Sequence, residues 1–114
     1  MLTIYHNPRC SKSRQTLSLL QDQGLEPEIV LYLETPPNPE TLTLLLKKLG
    51  ISAHQLLRRG EQEYKDQSLA DVSLSEQQLI DAMAKYPKLI ERPVVVNGQR
   101  AAIGRPPEAV LEII

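Results

Sequence analysis

Two short, apolar, β-prone runs flank one amphipathic helix at the start of the chain, and that alternation constrains the fold more than any other feature. Residues 2–5, Leu-Thr-Ile-Tyr, form the first run. His6-Asn7-Pro8 interrupts it. From Cys10 to about Gln23 the spacing predicts a helix, with Leu17 and Leu20 on one face and Thr16 and Leu19 beside them. Gly24 is a natural stop for it. Residues 27–33 read as a second strand, buried on both sides in its middle. Strands on either side of one helix need a crossover, so this segment predicts a βαβ unit with a parallel pair.

The middle of the chain is helical in pattern. Thr35-Pro36-Pro37-Asn38-Pro39 breaks regular structure, after which Asn38 can cap, Pro39 can fill the first helical position and Glu40 suits the positive end. Leu42, Leu45, Leu46 and Leu49 then form an apolar stripe that ends at Gly50. Ser52 can cap a shorter helix over residues 53–57, which Arg58-Arg59-Gly60 ends. Residues 61–69 are polar and show no clear period. Two capping boxes compete next, Ser73 with Glu76 and Ser75 with Gln78. The helix that follows turns Leu79, Ile80, Met83 and Ala84 inward and stops before Pro87.

Strands return near the end. Val94-Val95-Val96 reads as a central strand, Asn97-Gly98 is the strongest hairpin signal in the chain, and residues 99–103 form the return strand. Gly104-Arg105-Pro106-Pro107 opens a last helix with Val110, Leu111, Ile113 and Ile114 on its core side. The order is β-α-β, then a helical insertion over about residues 38–86, then β-β-α. The expectation is one α/β domain over residues 1–114, a small mixed β-sheet flanked by helices. The insertion belongs to that domain because its short amphipathic helices need the sheet for burial.

Composition narrows the function classes. Thirteen basic and fourteen acidic side chains leave a net charge of -1 over 114 residues, so nucleic-acid or anionic-membrane binding through net charge is not expected. No apolar run approaches the ~20 residues of a membrane span, and the N-terminus lacks a signal-peptide pattern. One cysteine excludes an internal disulfide or a cysteine-rich zinc site. His6, Cys10 and the acidic residues show no convincing metal spacing, so no metal is expected. A cytoplasmic protein that acts as a monomer fits best.

The thiol sits where chemistry is favoured. Cys10 lies between a turn and a helix, in Asn7-Pro8-Arg9-Cys10-Ser11-Lys12-Ser13-Arg14. Unpaired N–H groups and the positive end of the helix dipole stabilise thiolate over thiol there, and Arg9, Lys12 and Arg14 add charge. His6 helps if it is charged. Ser13 takes the place of the second cysteine of a Cys-x-x-Cys pair; its hydroxyl can donate to the sulfur but cannot resolve a disulfide, so an outside thiol must recycle Cys10. Arg58, Arg92 and Arg105 each lie at an element boundary, and guanidinium groups grip oxyanions with paired donors. Of the adjacent pair, Arg58 is taken as inward and Arg59 as solvated. Pro93 cannot donate a ladder bond, so it starts its strand or lies at an edge, and the residues alone do not give its isomer.

These segments resemble the glutaredoxin-dependent arsenate reductase family of the thioredoxin superfamily. The matching stretches are HNPRCSKSR at residues 6–14, YLETPP at 32–37, LLRRG at 56–60, RPVVV at 92–96 and GRPPE at 104–108. The resemblance implies a thioredoxin-like fold. It implies Cys10 as the nucleophile toward arsenate, Arg58, Arg92 and Arg105 as the oxyanion-binding trio, and His6 as the histidine near the thiolate. Ser13 and Arg14 match the family pattern in support, and Pro93 looks like the cis-proline that faces the thiol. It further implies glutaredoxin as partner, glutathione as co-substrate and no tightly bound cofactor. Two other readings stand beside it: a general thiol-disulfide enzyme acting on glutathionylated substrates, and a non-enzymatic transcription adaptor of the same fold.

Overall fold

The computed structural model describes residues 2–114. Its elements run β1 (Leu2–Tyr5), α1 (Ser11–Asp22), β2 (Glu28–Val30), α2 (Pro39–Leu49), α3 (Ala53–Leu56), α4 (Gln62–Asp66), α5 (Glu76–Lys85), a 3-10 turn (Pro87–Leu89), β3 (Val94–Asn97), β4 (Arg100–Ile103) and a closing 3-10 helix (Pro107–Ile113). Contacts divide the chain into two compact units, residues 36–91 and the remainder.

The first unit holds a four-stranded mixed sheet in the order β2-β1-β3-β4. β1 and β2 are parallel, with Ile4 opposite Ile29, as the crossover helix requires. β1 and β3 are antiparallel, with Ile4 opposite Val95, and β3 and β4 form the hairpin. Ile4, Leu20, Val95, Val110 and Ile113 come from four different elements and close over one core, with Leu2, Leu17, Leu19, Leu25 and Ala102 packed around it.

Three expectations for this unit change. Residues 27–33 do not form a strand buried in its middle: β2 has three residues, and Ile29 is 46% exposed. The sheet order gives β2 one neighbour, and the chain turns straight after it, where the N–H groups of Glu34 and Thr35 both donate to the Leu31 carbonyl. The hairpin turns one residue later than the Asn97-Gly98 pair suggested. Asn97 still pairs with Arg100, so Gly98 and Gln99 make the connection, and Gly98 has the positive φ, +64°, that a two-residue turn needs. The last helix is 3-10 rather than α. With three residues per turn, Pro107, Val110 and Ile113 share the buried face, while Leu111 and Ile114 turn outward. Asn97 Nδ2 donates to the Ile113 carbonyl and Arg100 Nη2 to that of Glu112, so the hairpin caps this helix.

The second unit is helical and has its own core, which includes Leu42, Leu45, Leu46, Leu56, Leu79, Ile80, Met83 and Leu89. Asn38 accepts from the Thr41 N–H, Pro39 occupies the first turn of α2, and Gly50 ends it at φ +70°. Residues 61–69, without a readable period, form the short polar helix α4 and then bury Leu69. Glu76 reaches from α5 to accept the Ala53 N–H at the start of α3. Among the described residues no helix is long and apolar enough to cross a membrane.

The competition between capping boxes resolves in favour of Ser75. Its hydroxyl accepts from the Gln78 N–H at 3.2 Å, and Gln78 Oε1 accepts from the Ser75 N–H at 2.7 Å. Ser73 instead bonds Asp71. Ser75→Ala is therefore expected to cost about 1 kcal/mol in chemical denaturation. Ser73→Ala, at an exposed turn, is expected to stay within about 0.5 kcal/mol; the opposite ranking would return the cap to Ser73.

Candidate functional site

A tightly bonded turn delivers Cys10 to the start of α1. The His6 N–H continues the β1–β2 pairing by donating to the Val30 carbonyl at 2.9 Å. Asn7 then makes three bonds: its carbonyl accepts from the Cys10 N–H, its Oδ1 accepts from the Arg9 N–H, and its own N–H donates to Ser13 Oγ, all near 3.0 Å. Arg14 reaches back so that Nη1 donates to the Pro8 carbonyl at 2.8 Å. Cys10 itself is the N-cap of α1, extended at φ -96° and ψ 123°, and its carbonyl accepts the first intrahelical bond from the Arg14 N–H. An N-cap side chain faces the first unpaired helix N–H groups.

The sulfur uses that position. Partial burial pushes the Cys10 thiol up, but the Ser13 N–H, the Arg92 guanidinium through a hydrogen bond and its charge, and the Lys12 N–H outweigh it. The net result is a pKa below that of an ordinary cysteine.

Two roles expected from the sequence are redistributed. Ser13 is fully buried, and its hydroxyl is taken up by the Asn7 N–H and by His6 Nδ1 at 2.6 Å, so its backbone N–H rather than its side chain serves the sulfur. His6 is 6% exposed, and burial together with the nearby charge of Arg14 lowers its pKa. The ring is therefore neutral at pH 7 and supplies no cationic help; its contact is with Ser13.

Arg92 and Arg105 come together at the thiol. Arg92 precedes Pro93, and the peptide bond between them is cis, as is that between Arg105 and Pro106. Pro93 is buried directly ahead of β3. Arg105 follows β4 by two residues; its Nε donates to the Arg92 carbonyl at 2.9 Å while Nη2 lies 3.6 Å from Cys10 Sγ. Arg58 belongs to the second unit. The Arg58 N–H donates to the Leu89 carbonyl, and the Glu91 N–H donates to the Leu56 carbonyl, which fixes its backbone. Its guanidinium is partly buried between Glu61 at 3.3 Å and Glu91 at 2.8 Å, whereas Arg59 is exposed. Sequence reasoning read Asn7 only as turn punctuation and gave Thr16 no role beyond its helix face. No pattern in the residues shows that Asn7 bonds three ways or that Thr16 Oγ1 lies beside the Gly104 carbonyl.

A sulfur whose ionised form is favoured by helix N–H groups, with two guanidinium groups from beside β3 and β4 at the same end of the sheet, can attack an electrophile and bind an oxyanion beside it. Sheet and thiol together define a thioredoxin-like protein with a cysteine at the start of its first helix. Residues 5–113 match the model of the ArsC family. The chain is 62% identical over 112 residues to the uncharacterized protein YfgD of Escherichia coli K12, covering 97% of this chain and 94% of that one. It is 48% identical to an arsenate reductase of Haemophilus influenzae, with 97% of each chain covered. The structure of an arsenate reductase from Vibrio cholerae superposes with a TM-score of 0.98 at 51% identity, covering 99% of this chain and 97% of that one. This chain belongs to the ArsC family, and its fold is thioredoxin-like.

The depressed pKa sets the sign of a pH test. Thiolate is the alkylated form, so the iodoacetamide rate rises as pH climbs through the folded-state pKa of Cys10, and its midpoint is expected below that of a cysteine in an unfolded peptide. Removing the guanidinium in Arg92→Ala moves the midpoint up. An unshifted midpoint in the wild type would remove the electrostatic basis of the site.

Proposed function

We propose that this protein is an arsenate reductase that draws its electrons from glutathione and glutaredoxin. The observation that carries the reading is the Cys10 sulfur with the Arg92 and Arg105 guanidinium groups beside it, in a chain whose relatives include proteins named arsenate reductase. An anionic nucleophile must approach an anionic substrate, and the arginines offset that repulsion. The Cys10 thiolate attacks arsenic and a protonated oxygen leaves as water, giving a thiol–arsenate adduct. Glutathione adds to the arsenic with loss of a second water. Glutaredoxin thiolate then attacks the glutathione sulfur; the As–S bond breaks with its electron pair on arsenic, which falls from +5 to +3. Hydrolysis releases arsenite and restores Cys10.

Several parts of this reading follow from the residues. With Ser13 in place of a second cysteine, the chain holds no internal resolving thiol, so an external one completes turnover. Resemblance of the LLRRG segment carries Arg58 into the proposal as the third oxyanion ligand, and His6, Ser13, Arg14 and Pro93 shape the turn and the start of β3. A single free thiol that must stay reduced fits a reducing compartment such as the cytoplasm.

Steady-state reduction of arsenate with glutathione and glutaredoxin tests the proposal. Cys10→Ser is expected to abolish turnover while circular dichroism stays native. Arg92→Ala and Arg105→Ala are each expected to lower kcat/KM by about 10²–10³-fold, the usual cost of an oxyanion donor. Deglutathionylation of a model disulfide serves as the control. Wild-type protein that performs it well while failing to reduce arsenate would replace this reading with a general thiol enzyme.

A further inference from the structure

The Arg58 guanidinium has donors left over but no charge left over. Its Nε donates to Glu61 Oε2 at 3.3 Å and its Nη1 to Glu91 Oε1 at 2.8 Å. Among the described residues Nη2 makes no hydrogen bond, so part of the fork stays open to a ligand. One guanidinium between two carboxylates, however, is a net negative cluster. All three side chains are partly buried, where charges are screened less than on an open surface.

The backbone fixes this arrangement. Leu57 and Ile90 lie opposite each other in a short antiparallel contact. On either side of it the Arg58 N–H donates to the Leu89 carbonyl at 2.7 Å, and the Glu91 N–H to the Leu56 carbonyl at 2.8 Å. Arg58 and Glu91 therefore leave the backbone at paired positions whose register is set. Glu61, the N-cap of α4, joins them from three residues beyond Arg58.

Such a cluster limits what Arg58 offers an incoming anion. Arsenate and phosphate share a shape and a charge, so attraction alone holds both. Only the arsenic centre exchanges an oxygen for sulfur readily. Extra affinity in the ground state would fill the site with the unreactive anion as much as with the reactive one. We propose that Glu61 and Glu91 are specificity-determining residues: by neutralising Arg58 they keep unreactive tetrahedral oxyanions, phosphate first, from occupying the site. The inference rests on the proposed function, which makes Arg58 an oxyanion ligand.

Protection of Cys10 from iodoacetamide by inorganic phosphate tests it without any turnover. Glu91→Gln and Glu61→Gln keep the side-chain shape and an acceptor oxygen and remove only the charge. Each is expected to lower the phosphate concentration for half-protection by about threefold or more, the scale of one partly screened charge at short range. A purely structural role predicts the opposite sign, because loosening Arg58 weakens anion binding. Glu63→Gln, on the same helix but without a bond to Arg58, is expected to leave half-protection unchanged. If Glu91→Gln loses its native circular dichroism, Glu61→Gln carries the same expectation. Arg58→Ala is expected to weaken protection. Unchanged or weaker protection in the folded glutamine variants would overturn the proposal alone, and so would an equal gain in Glu63→Gln. An Arg58→Ala variant that binds phosphate like the wild type would overturn it together with the place of Arg58 in the oxyanion site. Arsenate turnover in the wild type stands as the separate check on the reaction itself.

Discussion

Burial works against a thiolate, and the site exists because other forces at Cys10 exceed that penalty. Part of the opposing force is backbone: the N–H groups of Ser13 and Lys12 belong to a helix end that has no other use for them. The rest is the Arg92 guanidinium, which brings both a hydrogen bond and a full charge. Only a fixed geometry makes these add. The Asn7 bonds, the Arg14 clamp on Pro8 and the His6–Ser13 contact hold the turn so that the sulfur meets the helix end rather than solvent. The sheet then brings residues 92–114 back to the same place, because β3 lies beside β1.

Local pattern made much of this legible. The helix after β1, the parallel pair and the Asn38 cap rest on signals that act within a few residues, and they form where the sequence places them; the hairpin forms too, one residue later than its Asn97-Gly98 signal. The misread elements depend on neighbours that lie far away in the chain. Residues 27–33 look like a buried strand because they are apolar, yet strand burial is decided by sheet order, and β2 has a neighbour on one side only. The final segment has apolar residues that suit an α-helix or a 3-10 helix; Pro107, Val110 and Ile113 select the tighter one by the core they must reach.

The site divides along the same line. A cysteine at a helix start is visible in sequence, and so is an arginine at an element boundary. Which of Ser13's two polar groups faces the sulfur is not visible, because the hydroxyl is claimed by His6 from seven residues upstream. The charge state of His6 depends on its burial and on Arg14, which no local pattern reports. The close approach of Gly104 to Thr16 and Pro93 is equally absent from any local pattern.

The brevity of β2 has a consequence for how molecules of this protein meet one another. Three residues at ~3.3 Å each give an outer margin about 10 Å long. Pro27, just ahead of it, has no amide hydrogen to offer, and Glu28 projects a charge from it. A neighbouring molecule seeking to extend the sheet finds too few groups in line to zip onto, so this flank resists the stacking that turns open sheets into fibrils.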